Sequence, residues 1–434
     1  MKNTISILYF FLGTLFLQAQ ETVPITKAAL LLKVSENNIA IKISEQEFNK
    51  AKADYNQTNA VFLPNISASY TGISTTNPLM AFGSKLNQEI LTQNDFNPAL
   101  LNDPTTTRNF ATKIEIQQPL INLDGFYQRK AAKTKMEAMS LQANRTADYL
   151  TFEVEKSFMQ LQLAYKAVEV LEFALEAAEA NKKIATNNFE QGYLQQADIL
   201  NVDVRITEVK NQLQTSKSNL QNASNYLSFL MNDKEFVVYE PLEDLTIAPF
   251  NMDEKIISEN RADIKAMQLA SNAYEEMNKA DKMTFLPRLN AFGSYEIYDN
   301  KVFQGDANGY LIGAQLSWDI FQGSKRFGKA QKSKAEFEQS KLEYNQYVSK
   351  SNLELNKVKR QLIDARNRLE LTGLAVKQSK ESLRIRKNRF KEGLEKTSDL
   401  LVAETQFAQK QLEYYQTIFE YNYTQTYLEF LTKN

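Results

Sequence analysis

The chain has 434 residues, no cysteine and no histidine, and its 51 basic and 52 acidic side chains leave a formal net charge of −1. That balance gives no basic field for nucleic acid. The two missing residue types remove disulfide frameworks, thiol and imidazole nucleophiles and most transition-metal sites.

Only 13 Gly and 9 Pro punctuate the chain, which predicts a few long elements, mostly helix. Residues 1–19 carry one cation, Lys2, then an apolar run from Ile5 to Leu17 and the small Ala19 before Gln20. This reads as a secretory signal and predicts an exported chain. No cysteine stands there to take an acyl chain.

From residue 20 onward the chain is written twice. Ser35-Glu36-Asn37 recurs as Ser258-Glu259-Asn260, and Phe62-Leu63-Pro64 as Phe285-Leu286-Pro287, 223 positions on. Pro119-Leu120-Ile121-Asn122 matches Asp319-Ile320-Phe321-Gln322 at 200. Phe189-x-x-Gly192 with Asp198-Ile199-Leu200 matches Phe390-x-x-Gly393 with Asp399-Leu400-Leu401 at 201. The shorter offset places extra loop in the first copy, between Pro64 and Pro119. Such a duplication predicts two like units sharing one architecture.

The first repeat, 20–231, is expected to hold a helix, strands near 65–72 and 111–118, a long helix near 126–190 and a return helix near 198–231. A linker or equatorial segment follows at 232–257. The second repeat, 258–434, has a helix, strands near 288–298 and 310–319, a long helix near 325–391 and a return helix near 399–431.

Each strand alternates. Ile66, Ala68 and Tyr70 interleave with Ser67 and Ser69, and Ile114 and Ile116 with Lys113, Glu115 and Gln117. One face therefore suits lipid and the other water, at lengths that fit a tilted transmembrane strand. Tyr310 and Trp318 are candidates for a membrane-interface aromatic girdle. Four strands cannot close a barrel, so several copies must contribute to one. The connections 72–110 and 299–309 are rich in turn-forming polar residues and read as external loops.

Between Phe126 and Glu190 there is neither Pro nor Gly, and one helix over those residues would reach ~98 Å. Ala147, Leu150, Val154, Ser157, Leu161, Ala164, Val168, Leu171, Leu175 and Ala178 fall at alternating steps of three and four, a heptad seam. A second stripe runs along Leu163, Ala167, Val170, Ala174, Ala177 and Ile184. A helix with two stripes touches a neighbour on each side, as in a ring of helices, whereas one broad stripe would serve an ordinary bundle. The second copy keeps the seam as Leu355, Val358, Leu362, Ala365, Leu369, Thr372 and Val376. Gly192 and Gly393 end the long helices, where a left-handed residue is cheap. Asp198 and Asp399 open the next helices, where a carboxylate meets unpaired amides and the helix dipole, so a plain capping role is open to both.

The doubled order of helix, hairpin, long helix and tip resembles the outer membrane factor family, the TolC-like outer membrane efflux proteins. The resemblance rests on the two Phe-Leu-Pro motifs, Arg261-Ala262-Asp263, the turns at Asn122 and Gln322-Gly323, and the tips Phe189-x-x-Gly192 and Arg389-Phe390-x-x-Gly393 with the Asp-Ile-Leu and Asp-Leu-Leu that follow. It implies a mainly α fold with a small β part. Four transmembrane strands per chain would join very long coiled-coil helices, and a homotrimer would complete a β-barrel and an α-barrel.

The function implied is a passive duct from an inner-membrane transporter and a periplasmic adaptor, through the outer membrane, with no cofactor and no enzyme chemistry. The family pattern puts a pore constriction at Asp399, with Val402 where some members have a second aspartate, so the cation block is expected to be weaker. Asp198 matches a residue that ties the first tip to a basic group. That basic position is Glu395 here, so the tie is expected to use Lys396 or Arg389, or to be missing. Gly192, Tyr193, Gly393 and Leu394 match the turns that meet an adaptor. The outer-membrane component of a type I secretion system shares these parts. An exported coiled-coil scaffold or adhesin without a pore, and a carboxylate enzyme, are the readings from other classes.

Overall fold

The computed structural model describes residues 22–235, 237–250 and 255–433; the predicted signal segment 1–19 lies outside them. Strand β1 (Thr22–Ile25) and helices α1 (Lys27–Asn37) and α2 (Ile39–Gln57) lead to β2 (Asn65–Thr75). Two short helices, α3 (Pro78–Asn87) and α4 (Pro98–Asn102), precede β3 (Thr107–Ile121). Then come α5 (Leu123–Glu190), α6 (Gln196–Met231) and β4 (Val238–Pro241). The second repeat supplies α7 (Ala262–Met283), β5 (Arg288–Asp299), β6 (Ala307–Ser317), α8 (Lys325–Lys391) and α9 (Thr397–Thr432). Helices α5 and α8 run for 68 and 67 residues, about 100 Å each. Among the described residues no helix is long and apolar enough to cross a membrane.

The residues fall into two units. One takes the described residues up to Ile43, Arg145–Arg261 and those from Lys350 onward. Its helices carry the seams, and the two stripes of α5 go to different places. On the first stripe, Leu150, Val154 and Leu161 are buried with Leu30 and Val34 of α1 and Leu227 of α6. From the second, Leu163 packs against a cluster built on Leu355, Val358 and Leu362 of α8 and Ile418 and Tyr421 of α9. Alternating three- and four-residue steps keep each stripe on one side of a long helix, and this is what lets α5 serve two cores. The short parallel pair of β1 with β4, Thr22 opposite Val238, sits beside the first core through Ile25 and Tyr239. Periodicity gave no sign of it, because a four-residue strand shows too few alternations to stand out.

The other unit takes Ser44–Asn144 and Ala262–Ser349. Its antiparallel sheet runs in the order β2-β3-β5-β6. The β3–β5 pairing joins the two repeats, with Ile114 opposite Tyr295 and Lys113 opposite Glu296. Register puts Ile66, Ile116, Gly293 and Ile312 in one row, and Ala68, Ile114, Tyr295 and Tyr310 in the next, on one face. That face is apolar and exposed: Tyr310 is 79% and Ile312 78% accessible. Lys113, Glu115 and Glu296 share the opposite face, with Lys113 Nζ 3.1 Å from Glu115 and 3.5 Å from Glu296. Strand β3 is longer than its alternation predicted, and its register shifts between Pro119 and Ile121, where proline has no N–H for the ladder.

Below the sheet the helices of this unit meet through small side chains. Ala131, Ala138, Ala266 and Ala280 are buried, and Ser271 and Ser340 hydroxyls lie 3.0 Å apart. Arg288 grips Asp124 with two nitrogens, fixing the start of α5 to the start of β5. Within the connection predicted as bare loop, Asn77 and Asn97 cap α3 and α4, each followed by proline in the first turn. That Asn-Pro signal was present in the sequence.

Candidate functional site at the helix tips

Both long helices close with the same turn. Gly192 has φ +80° and Gly393 φ +70°; the amides of Gly192 and Tyr193 donate to the carbonyls of Phe189 and Asn188 at 2.9 and 2.8 Å. In the second tip the amides of Gly393 and Leu394 donate to Phe390 and Arg389 at 3.1 and 2.9 Å. This is the left-handed cap that glycine permits, and it turns the chain back within a few residues. It leaves Tyr193 and Leu394 exposed at the two apices.

The two tips then diverge. In the first, the Asp198 carboxylate accepts a hydrogen bond from the backbone N–H of Gln195 at 3.0 Å, capping α6. In the second, Arg386 Nη1 donates to Glu395 Oε1 at 2.7 Å, and Arg389 Nε to Glu395 Oε2 at 2.8 Å. Arg389 Nη2 also reaches the Leu394 carbonyl at 3.1 Å. The Arg389 hydrogen bond, with the nearby charge of Arg386, holds the Glu395 carboxyl below the usual carboxylate range. Within one copy Asp198 meets neither Lys396 nor Arg389, the partners expected for it. Asp198 serves its own helix, Arg389 is occupied by Glu395, and Lys396 is the N-cap of α9. The physical reason is proximity: Glu395, in the position expected to be basic, lies within reach of two guanidiniums on its own tip.

Asp399 sits in the first turn of α9, half-exposed, with its Oδ2 3.9 Å from Arg386 Nη1. Val402, three residues on and so on the same side of the helix, is 54% exposed. Leu400 and Leu401 between them are buried. One copy thus presents a carboxylate and an apolar side chain outward together. Arg386 was not singled out from sequence, and Glu395 was marked only as standing where a basic residue was expected. Two arginines three residues apart, followed by a glutamate just past a helix-ending glycine, were the available signal.

In the sheet-bearing unit, Tyr310 stands on the exposed apolar face of β6. Trp318 lies just past that strand with its ring exposed and its Nε1 donating to the Phe285 carbonyl at 3.0 Å.

Comparison with known proteins gives the same architecture. The chain superposes on CusC, described for its transmembrane channel formation, with a TM-score of 0.81 at 14% identity, covering 95% of this chain and 93% of that one. The Campylobacter jejuni outer membrane channel CmeC matches with a TM-score of 0.78 at 16% identity, over 100% of this chain and 93% of that one. The open-state Neisseria gonorrhoeae outer membrane channel MtrE gives 0.78 at 15%, over 94% and 88%. No curated protein matches the sequence. The family model for outer membrane efflux proteins matches residues 30–233 and 255–430, one block in each repeat. With both halves of the chain accounted for, this protein of the outer membrane belongs to the outer membrane efflux protein family.

Proposed function

We propose that three copies of this chain form the exit duct of a tripartite efflux pump, carrying substrates passively from an inner-membrane transporter and a periplasmic adaptor to the exterior. The observation that carries the reading is the sheet. Strands β2 and β6 are its edges, one face is apolar and exposed, and a bilayer tolerates neither an open edge nor an unsatisfied backbone group. Neighbouring copies pairing β2 with β6 would satisfy both edges, and three copies supply twelve strands.

The two stripes of α5 support a ring of helices in the periplasm. Asp399 and Val402 would line its narrow end, a charged ring followed by an apolar one. The exposed turns at Gly192-Tyr193 and Gly393-Leu394 would meet the adaptor. Tyr310 and Trp318 would sit at the membrane interface. Nothing is asked of the chain chemically; energy enters at the partner transporter.

Purified protein reconstituted in a planar bilayer should show discrete conductance steps. A scaffold or adhesin built from the same helices would show none, and that result would remove the duct.

A further inference from the structure

In the unit that holds the tips, four helices meet around one buried carboxylate. Glu404 of α9 is 8% exposed and Asn181 of α5 1%. Ala178, Ala185, Val202, Phe390 and Leu400 belong to the apolar cluster on the same stretches of α5, α6, α8 and α9. Asn181 Nδ2 donates to Glu404 Oε1. Two atoms are then left over: Glu404 Oε2 and Asn181 Oδ1 are both buried and without a hydrogen-bond partner.

These two orphans are complementary once a proton is added. An ionised Glu404 only accepts, as does Asn181 Oδ1, so neither oxygen can satisfy the other. A single proton on Oε2 supplies the missing donor. Its O–H would give to Asn181 Oδ1 while Asn181 Nδ2 gives to Oε1, a two-bond acid–amide pair.

The charges around it do not take over that role. Arg205 of α6 is 3.6 Å from Glu208 on its own helix. Lys182, next to Asn181 on α5, pairs with Asp203 of α6 at 2.6 Å. Burial pushes the Glu404 carboxyl up to about 7, against the weaker opposite pulls of Lys387 on α8 and Arg205. In the first repeat the matching carboxylate is Asp203, half-exposed and ion-paired, so the buried arrangement belongs to the second repeat alone.

We infer that Glu404 is a proton-held lock, fastening α9 to α5 beside the tips as a neutral acid paired with Asn181 and releasing them when it ionises. The sign follows from the raised folded value. Below the ordinary glutamate value of 4.5 the lock contributes fully, and its contribution is lost as pH rises through about 7. Acid therefore tightens the tips and mild alkali loosens them. The consequence for the duct rests on the channel reading, since Asp399 and Val402 lie just ahead of Glu404 on α9; the lock itself rests on contacts within one copy.

The test is amide hydrogen exchange on the detergent-solubilised full chain, read over 178–206 and 400–408 and corrected for the intrinsic pH dependence of exchange. With an opened-state value of 4.5 and a closed-state value of about 7, local opening should rise about tenfold between pH 6 and pH 8. Glu404→Gln keeps a donor for Asn181 Oδ1 without a titrating group, and its opening should change less than twofold. If that variant does not assemble, Glu404→Leu is read in its place with the same expectation. A wild type without the tenfold change, or a variant that keeps it, overturns the inference. Because no conductance enters this measurement, a silent bilayer experiment leaves it standing.

Discussion

Replacing Arg386 by alanine tests whether Asp399 sits in the ion path. Arg386 Nη1 stands 3.9 Å from Asp399 Oδ2, and both side chains are near half exposure, so the dielectric between them is close to that of water. At that separation the attraction is about 1 kcal/mol, well inside the screening length of physiological salt. The guanidinium offsets part of the field that a multivalent cation would feel from the carboxylate. Its removal should tighten block by a trivalent cation such as hexaamminecobalt about fivefold per carboxylate engaged, while Asp399→Ala should weaken block and raise conductance. Glu395 keeps its bond to Arg389 in the Arg386 variant, so the tip turn is retained. The assay is single-channel current in a planar bilayer against blocker concentration at fixed ionic strength. Equal block in wild type, Arg386→Ala and Asp399→Ala would take both residues out of the permeation path.

Two further outcomes separate structure from gate. Leu161→Ala removes a fully buried side chain from the core shared with Val154 and Leu227; it should cost about 3–5 kcal/mol, read as a lower thermal unfolding temperature, with single-channel conductance unchanged in the protein that survives. Asp198→Ala removes only the cap on α6; it should cost about 1 kcal/mol and leave cation block as in wild type, whereas a change in block would show that Asp198 does more than cap its helix.

Where the sequence was legible, it was legible for physical reasons. Ala147 to Ala178 keep one phase over some nine turns, so the long helix and its buried side stand out from chance. Strands carried less signal. Ile114 and Ile116 marked the apolar face, but pairing across the repeats through Lys113 and Glu296 is a long-range choice that alternation does not encode. The β1–β4 pair, four residues a side, was too short to register. Helices α3 and α4, ten and five residues long, were too short for a helical period to stand out, although their caps were written plainly. Orphaned acceptors such as Glu404 Oε2 exist only once four helices are in place, since a glutamate among 52 acidic residues has nothing to distinguish it.

The tips show how a duplicated frame takes on two roles. Carried back by the repeat offset of 201, Arg386, Arg389 and Glu395 correspond to Ala185, Asn188 and Leu194. Ala185 is buried in the tip cluster and Leu194 packs against it, so the first tip is held by apolar contact and a capped helix. The second tip exchanges those contacts for two guanidiniums sharing one carboxylate. Such an arrangement is more open to water and to ionic strength, and it places a cation within 3.9 Å of Asp399. Apolar packing is insensitive to salt, whereas exposed ion pairs weaken as salt rises. The second tip is therefore the one that should loosen first, and α9, which carries Asp399, Val402 and Glu404, is the helix that would move.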